Sequence, residues 1–153
     1  MLNKGIAVKT LGRGFYSGTD IIRLHQRKLI EKKRVYFSTS IRVSETMAPM
    51  IEDLILFNVD EDIYFSCHVI SAQVRKKKWA PDDSEKYSPE PFREEEERDW
   101  FLLDSISEIE DFKIFKELVT QNKGEALLPA LQNSGRANAI YFRNKKLIET
   151  TVV

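Results

Sequence analysis

Two apolar runs separated by a short acidic segment constrain this chain more than any other feature. Residues 53–59, DLILFNV, and 63–74, IYFSCHVISAQV, flank Asp60, Glu61 and Asp62. Both runs are rich in β-branched and aromatic residues, and a connection this short brings the second run back beside the first, so they predict a β-hairpin. In the second run Ile63, Phe65, Cys67, Val69 and Ser71 alternate with Tyr64, Ser66, His68 and Ile70. Successive strand side chains point to opposite faces, so Cys67 and His68 are expected on different sides of the sheet.

Other segments supply further elements. Ile6–Val8 reads as a short strand, and Leu11–Gly18, LGRGFYSG, as a glycine-rich turn. A helix follows, capped by Thr19 or Asp20, with Ile21, Ile22, Leu24, Leu29 and Ile30 on its apolar face and Arg23, Arg27, Lys28 and Lys32 in water. His25 is expected on its surface. Val35–Ser40, VYFSTS, predicts a strand with a hydroxyl-rich end, and Pro49 limits residues 44–53 to a turn or a short helix. The polar stretch Arg75–Arg98, with Pro81, Pro89 and Pro91, predicts an extended surface loop. Residues 100–106, WFLLDSI, resume the strand pattern. Ser107 and Glu110 match a capping box ahead of a helix carrying Ile109, Phe112, Phe115 and Val119, with Gly124 as its stop. A second helical piece, EALLPALQ, leads through NSGRAN to a strand, AIYFR, and a last apolar run, LIETTVV.

The 153 residues fit one domain, and 42% apolar with 31% charged residues fits a globular α+β fold. No run reaches the roughly 18 apolar residues of a membrane helix, and MLNKGIAVKT lacks the apolar core of a signal peptide. A cytoplasmic or nuclear protein is therefore expected. One cysteine and two histidines leave no internal disulfide and no cluster of soft or imidazole ligands, so neither a structural metal nor a cofactor is expected.

Signatures of catalysis are few. Gly12, Gly14 and Gly18 match neither a Walker loop nor G-x-G-x-x-G, so they read as a turn. Opposite faces separate Cys67 from His68, which leaves Cys67 as a buried structural residue. The acidic run Glu94–Glu97 reads as solvated surface. Binding features are stronger. Arg75, Lys76, Lys77 and Lys78 precede Trp79, and cations beside a flat ring suit phosphates and an unpaired base, with stacking worth about 1–3 kcal/mol. The same composition also fits a solubilising strand end with Trp79 folded onto the core. Arg136, in the NSGRAN turn, is a further anion contact candidate.

Taken in order, residues 34–143 resemble the PUA-like superfamily and, within it, the YTH and EVE domains. The likeness rests on VYFSTS as first strand, the hairpin DLILFNVDEDIYFSCHVISA, a loop containing tryptophan, the strand DWFLLDSI opening on Asp99 and Trp100, and the turn NSGR before AIYF. It implies a small β-barrel flanked by helices, with residues 1–33 as an N-terminal extension and 144–153 as a C-terminal strand or tail. It also implies a pocket for a flipped or unpaired, often methylated base. Ser38, Thr39 and Ser40 would edge that pocket, Trp79 would be its cage tryptophan, Arg136 would touch a phosphate and Trp100 would be core. YTH domains carry another cage tryptophan where Ile41–Glu52 has none, and an aspartate is common where Ala137 stands. That places the chain nearer the bacterial EVE type, associated with modified cytosines and restriction. Tyr16, Phe57 or Phe92 is then the candidate for the missing wall.

The resemblance thus implies a non-enzymatic reader of modified or unpaired bases in DNA or RNA, in the manner of a targeting module of a defence system. Equal numbers of acidic and basic residues, 24 each, imply modest affinity with specificity held in the pocket. Two other readings stay open. One is a protein-interaction module that docks through its apolar helix faces or LIETTVV. The other is an enzyme on the same fold, which would need Asp104 or Glu108 inside the pocket.

Overall fold

The computed structural model describes residues 2–74, 80–92, 98–134 and 139–147. It is an α+β arrangement around one mixed seven-stranded sheet. The strands are β1 (Lys4–Lys9), β2 (Val35–Thr39), β3 (Asp53–Asn58), β4 (Ile63–Gln73), β5 (Asp99–Glu108), β6 (Leu118–Thr120) and β7 (Ala139–Asn144). Their order across the sheet is β2-β5-β4-β3-β1-β7-β6. The predicted hairpin is β3 and β4, paired from Asp53 opposite His68 to Asn58 opposite Ile63. The pairing of β1 with β3 is parallel, while the other ladders are antiparallel.

Burial on both sides explains the near-continuous apolar runs of the central strands. On one face Ile6, Val8, Leu54, Leu56, Phe65, Cys67, Phe101 and Phe37 pack against helix α1 (Gly18–Lys32) through Ile21 and Ile22. On the other, Ala7, Ile55, Phe57, Tyr64 and Phe142 pack against Phe115, in a 3-10 helix (Phe112–Glu117), and against Leu127 and Leu131. Each large apolar side chain so enclosed contributes about 1.5–3 kcal/mol. Near the β2 edge that second face is covered instead by Ala80 and Tyr87, which lie against Tyr36, Trp100 and Leu102. Tyr87 ends the short helix α2 (Ser84–Tyr87), and Leu127 opens α3 (Leu127–Gln132). Between these two coverings His68, Ile70 and Asp104 face solvent.

Several expectations are corrected. Among the described residues no ladder joins β2 to β6, so the sheet is open rather than a closed barrel. The sheet still curls tightly. The ends of β1 and β2, four places apart in strand order, border one cleft, and the Tyr141 hydroxyl on β7 accepts from the Ser44 amide at 2.9 Å. What fills the gap is α1 together with Val43, Ala48 and Ile51 of the β2–β3 connection. Within residues 1–33, expected as an N-terminal extension, Lys4–Lys9 form β1 in the sheet interior and Gly18–Lys32 form α1 on its face. The cap of α1 is Ser17, not Thr19 or Asp20. Ile30 is 76% exposed, and His25, expected at the surface, is 2% exposed.

The stretch after β4 is not simply extended. It includes α2 and a 3-10 turn (Glu90–Phe92) that buries Phe92. The Ser107–Glu110 capping box does not form: β5 runs on to Glu108, and Asp111 caps the following 3-10 helix through the Lys113 amide. The helix expected from Ile109 to Val119 is that 3-10 turn followed by β6. Asp53–Gln73, α3 and β7 stand where expected. LIETTVV lies outside the described residues apart from Leu147. No helix among the described residues is long and apolar enough to cross a membrane.

Candidate functional site

Helix α1 is brought close to the end of β1 by its first residues. A Cβ on Gly18 would stand 2.1 Å from the Thr10 carbonyl oxygen, so the approach requires glycine. Ser17 and Asp20 then form a reciprocal capping box: the Ser17 Oγ accepts from the Asp20 amide at 3.0 Å, and the Asp20 carboxylate accepts from the Ser17 amide at 3.1 Å. One turn on, Ile21 and His25 project beneath the ends of β1 and β2.

A cleft of about 280 Å³ opens over them. Its walls are Val8 and Lys9 of β1, the following residues Thr10–Arg13, Phe37–Thr39 of β2 with Ser40 and Ile41, and Phe92 with Arg98. Ser38, Thr39 and Ser40, the residues singled out at the β2 end, all contribute. Of the three aromatic candidates, Phe92 lines the cleft, and Tyr16 has its ring centroid 6.2 Å from that of Phe92. Phe57 is fully buried on the opposite face of the sheet. Trp79, Arg75, Lys76, Lys77, Lys78, Arg136 and the Glu94–Glu97 run lie outside the described residues.

The deepest polar group is His25. Its ring stacks on Phe92 at 5.4 Å between centroids and tilts against Phe37 at 4.9 Å. Nδ1 is 2.7 Å from the Ile21 carbonyl oxygen, which only accepts, so Nδ1 carries the proton and Nε2 is left as an acceptor. Burial lowers its pKa to about 4; the Ile21 carbonyl opposes the shift, and Arg13 and Arg98 add to it. The imidazole is therefore neutral at physiological pH.

Cations gather at the rim. Arg98 donates through Nε to the Ser38 hydroxyl at 2.9 Å and through Nη2 to the Ser38 carbonyl at 3.0 Å, which fixes the end of β2. The Arg13 guanidinium lies 5.1 Å from the centroid of Phe92, over its ring. Lys9 donates to the Ser134 carbonyl. Among the described residues no carboxylate lines this cleft. The Thr10 hydroxyl is buried without a hydrogen-bond partner, although Thr10 lies in the wall. An unsatisfied buried hydroxyl beside a cleft leaves a hydrogen bond for a ligand to complete.

The segment Lys9–Gly12 is a ridge with a second depression beyond it, bordered by Asn58, Asp60 and Glu61. That side carries Asp60 and Glu61, whereas the described lining of the cleft carries Arg13 and Arg98. The carboxylates considered for catalysis are elsewhere: Asp104 is 2.7 Å from His68 Nδ1 on the bare sheet face, and Glu108 pairs with Arg23 at 3.0 Å. Cys67 is buried, and burial pushes its thiol pKa up, so it is a structural residue. Sequence reasoning missed His25, Thr10, Arg13 and Arg98. His25 follows Ile21 by one helical turn on the buried side of α1, which was the available signal. Arg98 precedes Asp99, whose register partner is Thr39, so the β2–β5 pairing was needed to place it.

Compared with protein-family models, with curated proteins and with solved structures, the chain matches none.

Proposed function

We propose that this chain is a nucleic-acid-binding module of PUA-like, EVE/YTH type that takes one unpaired or flipped base into the cleft over His25. The observation that carries the reading is the lining: aromatic rings and hydroxyls within, Arg13 and Arg98 at the rim, and no carboxylate among the described residues. At about 280 Å³ the cleft is at the small end of ligand sites, which span roughly 300–1,000 Å³, and suits a single base rather than a larger ligand. Phe37 and Phe92 offer apolar contact to a flat ring. The neutral His25, the Thr10 hydroxyl and the Ser40 hydroxyl offer hydrogen bonds to its edges. The rim arginines meet the phosphates, which fix position while the pocket reads the base. A role in targeting a restriction or defence system to modified DNA or RNA follows from the same likeness.

The test is anisotropy titration of labelled oligonucleotides, DNA and RNA, with and without methylated bases. Ser40 is exposed at the cleft, so Ser40→Trp obstructs the site without disturbing the core, and binding is expected to fall at least about tenfold, the loss of one stacked base. Arg13→Glu is expected to lower the slope of log affinity against log salt by about 0.7, the share of one single-strand phosphate that the arginine no longer neutralises. Absence of binding at low salt, or equal binding by wild type and both variants, refutes the reading. Binding to a protein partner with no oligonucleotide affinity would favour an interaction module instead.

A further inference from the structure

The turn that walls the cleft also carries the most exposed apolar side chain among the described residues. The Arg13 amide donates to the Tyr16 carbonyl at 2.8 Å and the Tyr16 amide to the Arg13 carbonyl at 3.0 Å, which leaves Gly14 and Phe15 as a two-residue tip. Gly14 has φ of 59°, the conformation such a turn asks of its first central residue. Phe15 is 102% exposed, with its ring entirely in water. Behind it the aromatic row Tyr16, Phe92 and His25 leads into the cleft.

We infer that Phe15 is a wedge that enters the base stack of a duplex and occupies the place vacated when a base is flipped into the cleft. The inference rests on the base-binding reading and extends it by naming a paired strand as the substrate. Only Gly14 separates Phe15 from Arg13 at the rim, so their Cα atoms are at most about 7 Å apart. Bases repeat at about 3.4 Å along a strand, so the tip stands within about two base steps of Arg13 at the cleft rim. Apolar side chains inserted between base steps offset unstacking in proteins that open a duplex. The ridge sets the orientation. Asp60 and Glu61 beyond it repel phosphates, so the backbone runs along the cleft side of the tip.

The experiment takes the strand that binds best in the anisotropy titration and places 2-aminopurine beside the target base, first in the single strand and then in a duplex mismatched at the target. Phe15→Ala is expected to keep single-strand affinity, to lose about tenfold in duplex affinity, as when one base is no longer stacked on a ring, and to abolish the 2-aminopurine brightening that reports unstacking. Phe15→Trp is expected to retain both. Phe15 touches no core, so the alanine variant folds. If the wild type binds no strand at all, the base-binding reading itself fails. If it binds single strands but not the duplex, or if Phe15→Ala weakens both equally or neither, the wedge is refuted while base binding stands. Duplex binding that survives Phe15→Ala while sedimentation with phosphatidylglycerol vesicles is lost would assign the tip to a lipid surface and overturn the inference.

Discussion

His25 sits where its charge is most costly, between Phe37 and Phe92 and facing two arginines. Its pKa is about 4 in the folded chain against 6.5 unfolded, so between those values the unfolded chain binds the additional proton. Stability is complete above pH 6.5 and falls as pH drops toward 4, by about 3 kcal/mol from this group, at roughly 1.4 kcal/mol per pH unit. Asp53 acts oppositely: burial raises its carboxyl pKa, so its folded form holds a proton more readily and its contribution improves as pH falls toward the carboxylate range. Urea denaturation from pH 7.5 to 4 is expected to show the fall in wild type and a much flatter profile in His25→Leu; parallel profiles would contradict it. The Ser38–Ser40 strand end was singled out by the family resemblance, and the structure sets it in the cleft wall. His25 and Thr10 were not legible in the sequence, because one owes its role to neighbours from β2 and the 3-10 turn, and the other to the absence of a partner.

At the level of elements, α1 shows which local signals prevail. Two boxes of Ser/Thr-x-x-acid type bear on the outcome. Ser17 with Asp20 forms, because Gly18 is held against the Thr10 carbonyl and leaves Ser17 outside the helix. Ser107 with Glu110 does not, because Ser107 is paired with Ser66 and Glu108 with Phe65 in the β4–β5 ladder. Backbone pairing at long range outweighed a side-chain cap at short range. Ile30 follows Ile21 by nine residues, half a turn out of phase at 3.6 residues per turn, so it faces solvent despite its type. Ser17→Ala is expected to cost about 1 kcal/mol. Ile30→Lys is expected to change stability by less than about 0.5 kcal/mol. Thermal or urea melts distinguish the two, and equal losses would place Ile30 in the core after all.

Across the whole molecule, the hairpin was readable because its strands are neighbours in sequence, whereas the sheet order was not. β1 finds β3 about fifty residues on and β7 near the far end of the chain, and no short segment encodes either pairing. The open sheet has a measurable consequence. The interior strands β5, β4, β3, β1 and β7 have a partner on each side, but β2 and β6 are edges among the described residues. Hydrogen exchange is therefore expected to be slowest in the interior strands, approaching global unfolding, and faster at alternate amides of β2. A closed barrel would protect all seven strands alike. The same measurement separates a local cleft from a diffuse charged surface. With 24 acidic and 24 basic residues overall, attraction to nucleic acid has to be local. A bound oligonucleotide should then slow exchange at Leu11–Arg13 and Thr39–Ile41, which meet over His25, and leave β6 unchanged. Protection spread evenly over the molecule would mean that the curl bringing the ends of β1 and β2 together is architecture only.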